Sequence, residues 1–183
     1  MTTTKDINWT KVLNSLKTTS RWVMPKNGRT KARLVLPDEN DPRHFYEEVK
    51  NSYMGNVRSK YMVFALLFEG ENVTPEMSTT VTPLVVPKTV LKGIISLLAE
   101  GYDLFGPDGH GITITRTGKG LNTSYSVLPS RKPVDLPENI VWPEESIEEL
   151  ADDFTETSMR RDEERIQEDE QQDKPDMPFS EDF

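Results

Sequence analysis

The chain has 183 residues, 34% of them hydrophobic and 29% charged, with a formal net charge of -9: the size of one domain plus an appendage, in a water-compatible composition. Its longest apolar run, Met62 to Phe68, falls far short of the roughly 20 residues a membrane-spanning helix needs, and the opening MTTTKDINWT has neither the basic nor the apolar region of a secretory signal, so neither membrane insertion nor export is expected. With no cysteine, the chain can form no disulfide, thiolate metal site, iron–sulfur cluster or cysteine nucleophile, and an intracellular setting is expected.

Trp9, Val12, Leu13 and Leu16 follow helical spacing and predict a short amphipathic helix from about Asp6 to Lys17. Trp22, Pro25, Asn27 and Gly28 read as an extended entry and a turn, and Lys31 to Leu36, ended by Pro37, as the first strand. His44 to Tyr53 predicts a second strand. Val57 to Phe68 is the strongest strand signal, with Tyr61, Val63, Ala65 and Leu67 on one face and Met62, Phe64, Leu66 and Phe68 on the other; both faces are apolar, as in a central strand. After the polar connection Glu69 to Thr79 come a short strand, Val81 to Val86, and a helix opened by Pro87. That helix carries an apolar stripe of Val90, Leu91, Ile94, Ile95 and Leu98 and stops at Gly101. Ile112 to Thr117 and Ser124 to Leu128 flank Gly118-Lys-Gly-Leu-Asn, a β-hairpin with a basic tip.

The charge is divided. Residues 1–143 hold 18 Lys and Arg against 14 Asp and Glu, whereas 144–183 hold 4 against 17, with Phe154, Phe179 and Phe183 as their sole aromatics. So little apolar surface cannot offset the entropy of ordering a chain, so residues 144–183 are expected to be a mostly disordered acidic tail. The expected organisation is an N-terminal arm or short helix over 1–20, a β-domain over 21–143, and that tail. Several strands, a helix and a final hairpin in under 130 residues match the order of the OB-fold, a five-stranded Greek-key barrel with a helix inserted before its last two strands. The ligand face of that fold is flanked by the loop the hairpin tip would form.

Holding single-stranded nucleic acid without reading its sequence takes cations along the phosphates and aromatic faces under the bases. Both are interleaved here: Trp22, Tyr46 and Tyr53 among Lys26, Arg29, Lys31, Arg33, Arg58 and Lys60, with Arg116, Lys119 and Tyr125 on the hairpin. An aromatic in a β-domain serves the core more often than the surface, and Phe64 and Phe68 are expected to be core. Gly118-Lys119-Gly120 is not a phosphate-cradling P-loop, since position 113 is Thr and no Ser or Thr follows the Lys. His110 with Asp103 and Asp108 reads as a turn histidine rather than a metal or general-base site. No catalytic residue, metal or cofactor is expected.

The block from Val86 to Pro133, above all ITRTGKGLNTSY, resembles the second half of the DNA-binding core of bacteriophage single-stranded DNA-binding proteins, and WVMPKNGRTKARLVLP resembles its first strand. Phage members that carry zinc in this core use cysteines, which this chain lacks. Asp176-Met177-Pro178-Phe179 is similar to the acidic Asp-Ile-Pro-Phe tip of bacterial single-stranded DNA-binding proteins. Glu181-Asp182-Phe183 is similar to the endings of short-tailed phage members. The resemblance implies a protein, not an enzyme, that coats single-stranded DNA in replication, recombination and repair within the host bacterium's cytoplasm. It further implies a tail that competes with DNA and docks replication partners such as a polymerase, helicase or primase, with a Phe in an apolar pocket and carboxylates on a basic rim. Phe179 and Phe183 both qualify as the anchor, and self-association is left open. The rival readings are an adaptor of the replication machinery that no longer binds DNA, and a metal-dependent nuclease built on Asp103, Asp108 and His110.

Overall fold

The computed structural model describes residues 21–172, so the helix expected near Asp6 to Lys17 and the tip from Asp176 to Phe183 lie outside the described residues. The strands are β1 (Gly28–Val35), β2 (Tyr46–Tyr53), β3 (Asn56–Glu69), β4 (Thr82–Val86), β5 (His110–Thr117) and β6 (Ser124–Pro133); the helices are α1 (Lys88–Ala99) and α2 (Ile147–Gln172). The described protein is mainly β, six antiparallel strands in one open sheet of order β2-β3-β1-β5-β6 with β4 also on β3.

The central strand is β3. Tyr46 of β2 lies opposite Val63 and Val35 of β1 opposite Phe64, so β2 and β1 follow one another along one edge, while β4 pairs across their junction on the other. β1 then carries β5 on its far side and β5 carries β6. β4 and β6 do not pair, which departs from the expected five-stranded barrel. The outer edge of β4 is taken instead by Val23, whose N–H donates to Pro83 O (2.9 Å) and whose carbonyl accepts from Val85 N (2.8 Å).

Alternation along β3 sends Val63, Ala65 and Leu67 to one buried cluster and Met62, Phe64 and Leu66 to another, as a strand covered on both faces requires. α1 covers the first with Val90, Leu91, Ile94 and Leu97; Ile95, expected in the stripe, is 43% exposed instead. The helix comes so near β6 that a Cβ on Gly93 would sit 2.9 Å from Val127 Cγ2. It ends at Gly101, whose φ of +95° lets the Tyr102 N–H return to Leu97 O at 3.1 Å. Phe68, also expected in the core, is 43% exposed. The ladder passes from Lys31 opposite Glu69 to Ala32 opposite Leu67, so Phe68 is the extra residue of a β-bulge and leaves the face its parity assigns.

The second cluster is closed by a segment expected to be disordered. Residues 147–172 form α2, and Ile147, Leu150, Ala151 and Phe154 are buried against Trp22, Val49, Met62, Phe64 and Leu66. Composition averaged over the whole tail hid this, because four apolar residues concentrated within two turns are enough to dock a helix on a waiting sheet face. Ser146 opens it with a capping box: Glu149 N–H donates to Ser146 Oγ (3.2 Å) and Ser146 N–H to Glu149 Oε2 (2.8 Å).

Candidate nucleic-acid interface

Lys60 of β3 feels the charges of two more of the expected cations, Arg58 of the same strand and Arg116 of β5. Lys60, half-buried, has its ammonium held below the usual lysine value by burial first, then by the nearby charges of Arg116 and Arg58. Among the described residues none of the three has a carboxylate partner. Arg116 Nε is buried with no hydrogen-bond partner, and the guanidinium lies 5.9 Å from the centroid of Tyr125, its cross-strand neighbour. Like charges held together with an unsatisfied donor cost the free protein energy, which an anion laid across them would relieve.

Arg29, at the start of β1, and Lys119, at the hairpin tip, are both exposed and without an ion pair among the described residues. The hairpin tip requires glycine: φ is +84° at Gly118, and a Cβ there would strike Asn122 O at 2.0 Å. Lys31 pairs with Glu69 (2.6 Å) and Lys26 with Glu71 (3.9 Å), which offsets their charge.

Three expected contacts belong to the fold. Trp22 is buried, edge-on to Phe154 at 5.1 Å, because α2 covers it. Tyr46 packs edge-on to Phe45 and Tyr61, at 5.2 and 5.7 Å. Arg33 is fully buried: Nε donates to Val134 O (2.8 Å), Nη1 to Leu34 O (3.2 Å) and Leu104 O, and Nη2 to Gly106 O. It ties β1 to the loop after α1 and to the chain leaving β6. Phosphate contact and this role exclude one another.

Tyr53 stands apart from the cluster, 61% exposed at the end of β2, with the Arg165 guanidinium 4.7 Å from its ring centroid. Arg161 and Arg165 escaped the sequence reading because seventeen acids surround them; their signal was a spacing of four, which stacks them on one face of a helix.

Two of the three nuclease residues are engaged otherwise. Asp103 Oδ1 accepts from Phe105 N (3.0 Å) and Gly106 N (2.8 Å), and His110 Nδ1 lies 2.8 Å from Ser130 O. Among the described residues no group of three His, Asp or Glu side chains could hold a metal ion, and no helix is long and apolar enough to cross a membrane. Comparison of the chain with protein-family models, curated proteins and solved structures finds no match.

Proposed function

We propose that this chain is a single-stranded DNA-binding protein, of the kind phages use in replication, recombination and repair, acting by binding rather than by turnover. The observation that carries the reading is Arg116, its Nε buried without a partner and its guanidinium 5.9 Å from the Tyr125 ring, together with Lys60 and Arg58, none of the three having a carboxylate partner among the described residues. The strand connectivity supports it. Setting β2 aside as an addition, β1 pairs β3 and β5, β3 pairs β4, α1 follows β4, and β5 pairs β6. This order is consistent with the connectivity of an OB-fold, with closure between the third and last strands lacking. In that fold the ligand lies on the face of the second and third strands and against the loop of the last hairpin, which correspond to β3, β4 and the Lys119 tip.

Phosphates lie along Arg29, Arg58, Lys60, Arg116 and Lys119, and a base stacks at Tyr125. The acidic chain end recruits replication proteins through Asp176, Met177, Pro178, Phe179, Glu181, Asp182 and Phe183. The test is a titration of the whole protein with single- and double-stranded DNA at two salt concentrations. Five phosphate contacts predict preference for single strands and a fall of log K with log salt at a slope of roughly -3 to -4, from about 0.7 per phosphate. A flat salt response removes the phosphate claim; equal binding to both forms removes the single-strand claim.

A further inference from the structure

We propose that the cleft between α2 and the end of β2 is a second nucleotide slot, which takes an unpaired base on Tyr53 and its phosphate on Arg161. The inference rests on the DNA-binding reading and assigns part of that function to a helix whose sequence reads as an acidic competitor of DNA.

The cleft, of about 280 Å³, is lined by Met24, Asn51, Tyr53, Ser158, Arg161 and Arg165 among others. Each supplies something a nucleotide needs. Tyr53 keeps 61% of its surface exposed, and Arg165 lies over one face of the ring at 4.7 Å, which leaves the other face for a base. An aromatic face beside a guanidinium plane is what unstacked bases settle on. Asn51 Oδ1 accepts from Ser158 Oγ at 3.1 Å, which fixes the amide and leaves its NH2, without a partner among the described residues, to donate to a base carbonyl. Arg161 is exposed and has no ion pair among the described residues.

The acid that pairs with Arg165 is already committed. Asp162 is buried, accepts from Ser52 Oγ (2.6 Å), Gly55 N (2.9 Å) and Met54 N, and lies 3.6 Å from Arg165 Nη1. It therefore orients Arg165 while spending its lone pairs on the β2–β3 turn. The slot also opens onto the first surface: Met24 lines it, and Met24 Sδ lies 3.7 Å from Lys60 Nζ. A strand leaving the Lys60–Arg116 cluster meets Tyr53 next.

The experiment uses the full chain, an oligo-dT labelled for fluorescence anisotropy, and the same oligonucleotide carrying 5-iodouracil for photocrosslinking. Tyr53→Ala and Arg165→Ala should each weaken binding about 5-fold or more, with Tyr53→Phe close to wild type. Arg161→Ala should lower the salt slope by about 0.7, and the crosslink should map to Tyr53. Because Arg161 makes no contact that folding needs, its slope tests the slot even if a Tyr53 variant melts early. Unchanged affinity and slope in these variants, alongside weakened binding in Lys60→Ala and Arg116→Ala, overturns the slot and leaves the DNA-binding reading standing. A wild-type protein that binds no single-stranded DNA at low salt ends both.

Discussion

Arg33 spends its guanidinium on four backbone carbonyls, so its charge is consumed by the chain that surrounds it. Asp103 and Asp135 favour that charge while burial opposes it, burial being the larger effect. Arg33→Met should leave the buried carbonyl of Leu104 and the part-buried one of Gly106 without this donor and destabilise the fold by about 3 kcal/mol, read from urea unfolding. Arg33→Lys should recover little, since an ammonium cannot reproduce the planar fork. In both variants the folded fraction should bind DNA as wild type does; a changed salt slope at normal stability would make Arg33 a phosphate contact after all. Lys60 is the opposite case. Its proton is held loosely in the free protein because burial and two like charges oppose it, and phosphates laid over it would hold that proton more tightly. Binding then takes up a proton once pH approaches the free lysine's value, so affinity should fall as pH rises through that value, below the ordinary 10.5. Lys60→Arg should flatten the profile, and an equal alkaline loss in both proteins would place the titrating group elsewhere.

At the scale of elements, α2 does two jobs with two stretches of sequence. Its first turns bury Ile147, Leu150 and Phe154, and the next hydrogen-bond the outer edge of β2. Lys50 N donates to Thr155 Oγ1 (3.0 Å), Ser52 N to Ser158 Oγ (2.9 Å) and Gly55 N to Asp162 Oδ2 (2.9 Å). Polar side chains at a spacing of three and then four thus satisfy backbone donors that would otherwise invite a foreign strand. The Ser52 hydroxyl foremost, with the Gly55 and Met54 amides, holds the Asp162 carboxyl below its ordinary 3.8. A carboxyl whose folded value is depressed stabilises above its unfolded value and loses that contribution as pH falls through the folded one. Asp162→Asn should therefore melt lower than wild type at pH 7, with the gap closing as pH drops from 3.8 toward the folded value. A gap that stays constant down to pH 2 would show that shape, not charge, matters there. Periodicity made β3, α1 and the hairpin legible because each repeats its pattern for at least two turns or three alternations. It failed at Phe68, where one bulged residue breaks parity, and at Arg33, where a second layer covers a strand face that looks polar. It failed again over 147–172, where the partner that orders the helix lies about a hundred residues upstream. The basic half of the candidate site was legible as composition; which cations remain free depended on long-range pairing no local pattern carries.

Over the whole molecule, the +4 and -13 division of charge is not a division between a folded body and a loose tail. Much of the acid is carried on α2, fixed to one face of the sheet, while the unpaired cations Arg58, Lys60 and Arg116 are carried on β3 and β5. Fixed and tethered acids affect DNA differently. Residues 173–183 hold four acids and one lysine; on the proposed reading, charges attached to the body at high effective concentration would compete with phosphates for its basic surface. Truncation after Gln172 should leave the melting temperature unchanged and tighten single-strand binding at low salt, the gain shrinking as salt screens the tail. If the proposed docking role of Phe179 and Phe183 holds, it should also abolish recruitment of replication proteins. Truncation after Trp142 removes far more negative charge, and electrostatics alone would have it bind DNA better still. It also strips the cover from Trp22, Met62, Phe64 and Leu66, which lose the partners Ile147, Leu150 and Phe154. Exposing that apolar face should cost more than the charge gains, so the shorter protein should aggregate or melt many degrees lower, and it also loses Arg161 and Arg165. Comparing the two truncations by light scattering and anisotropy separates the effects. A soluble, cooperatively melting 1–142 fragment with raised affinity would mean that α2 is a competitor after all, and that neither the second core nor the slot beside Tyr53 depends on it.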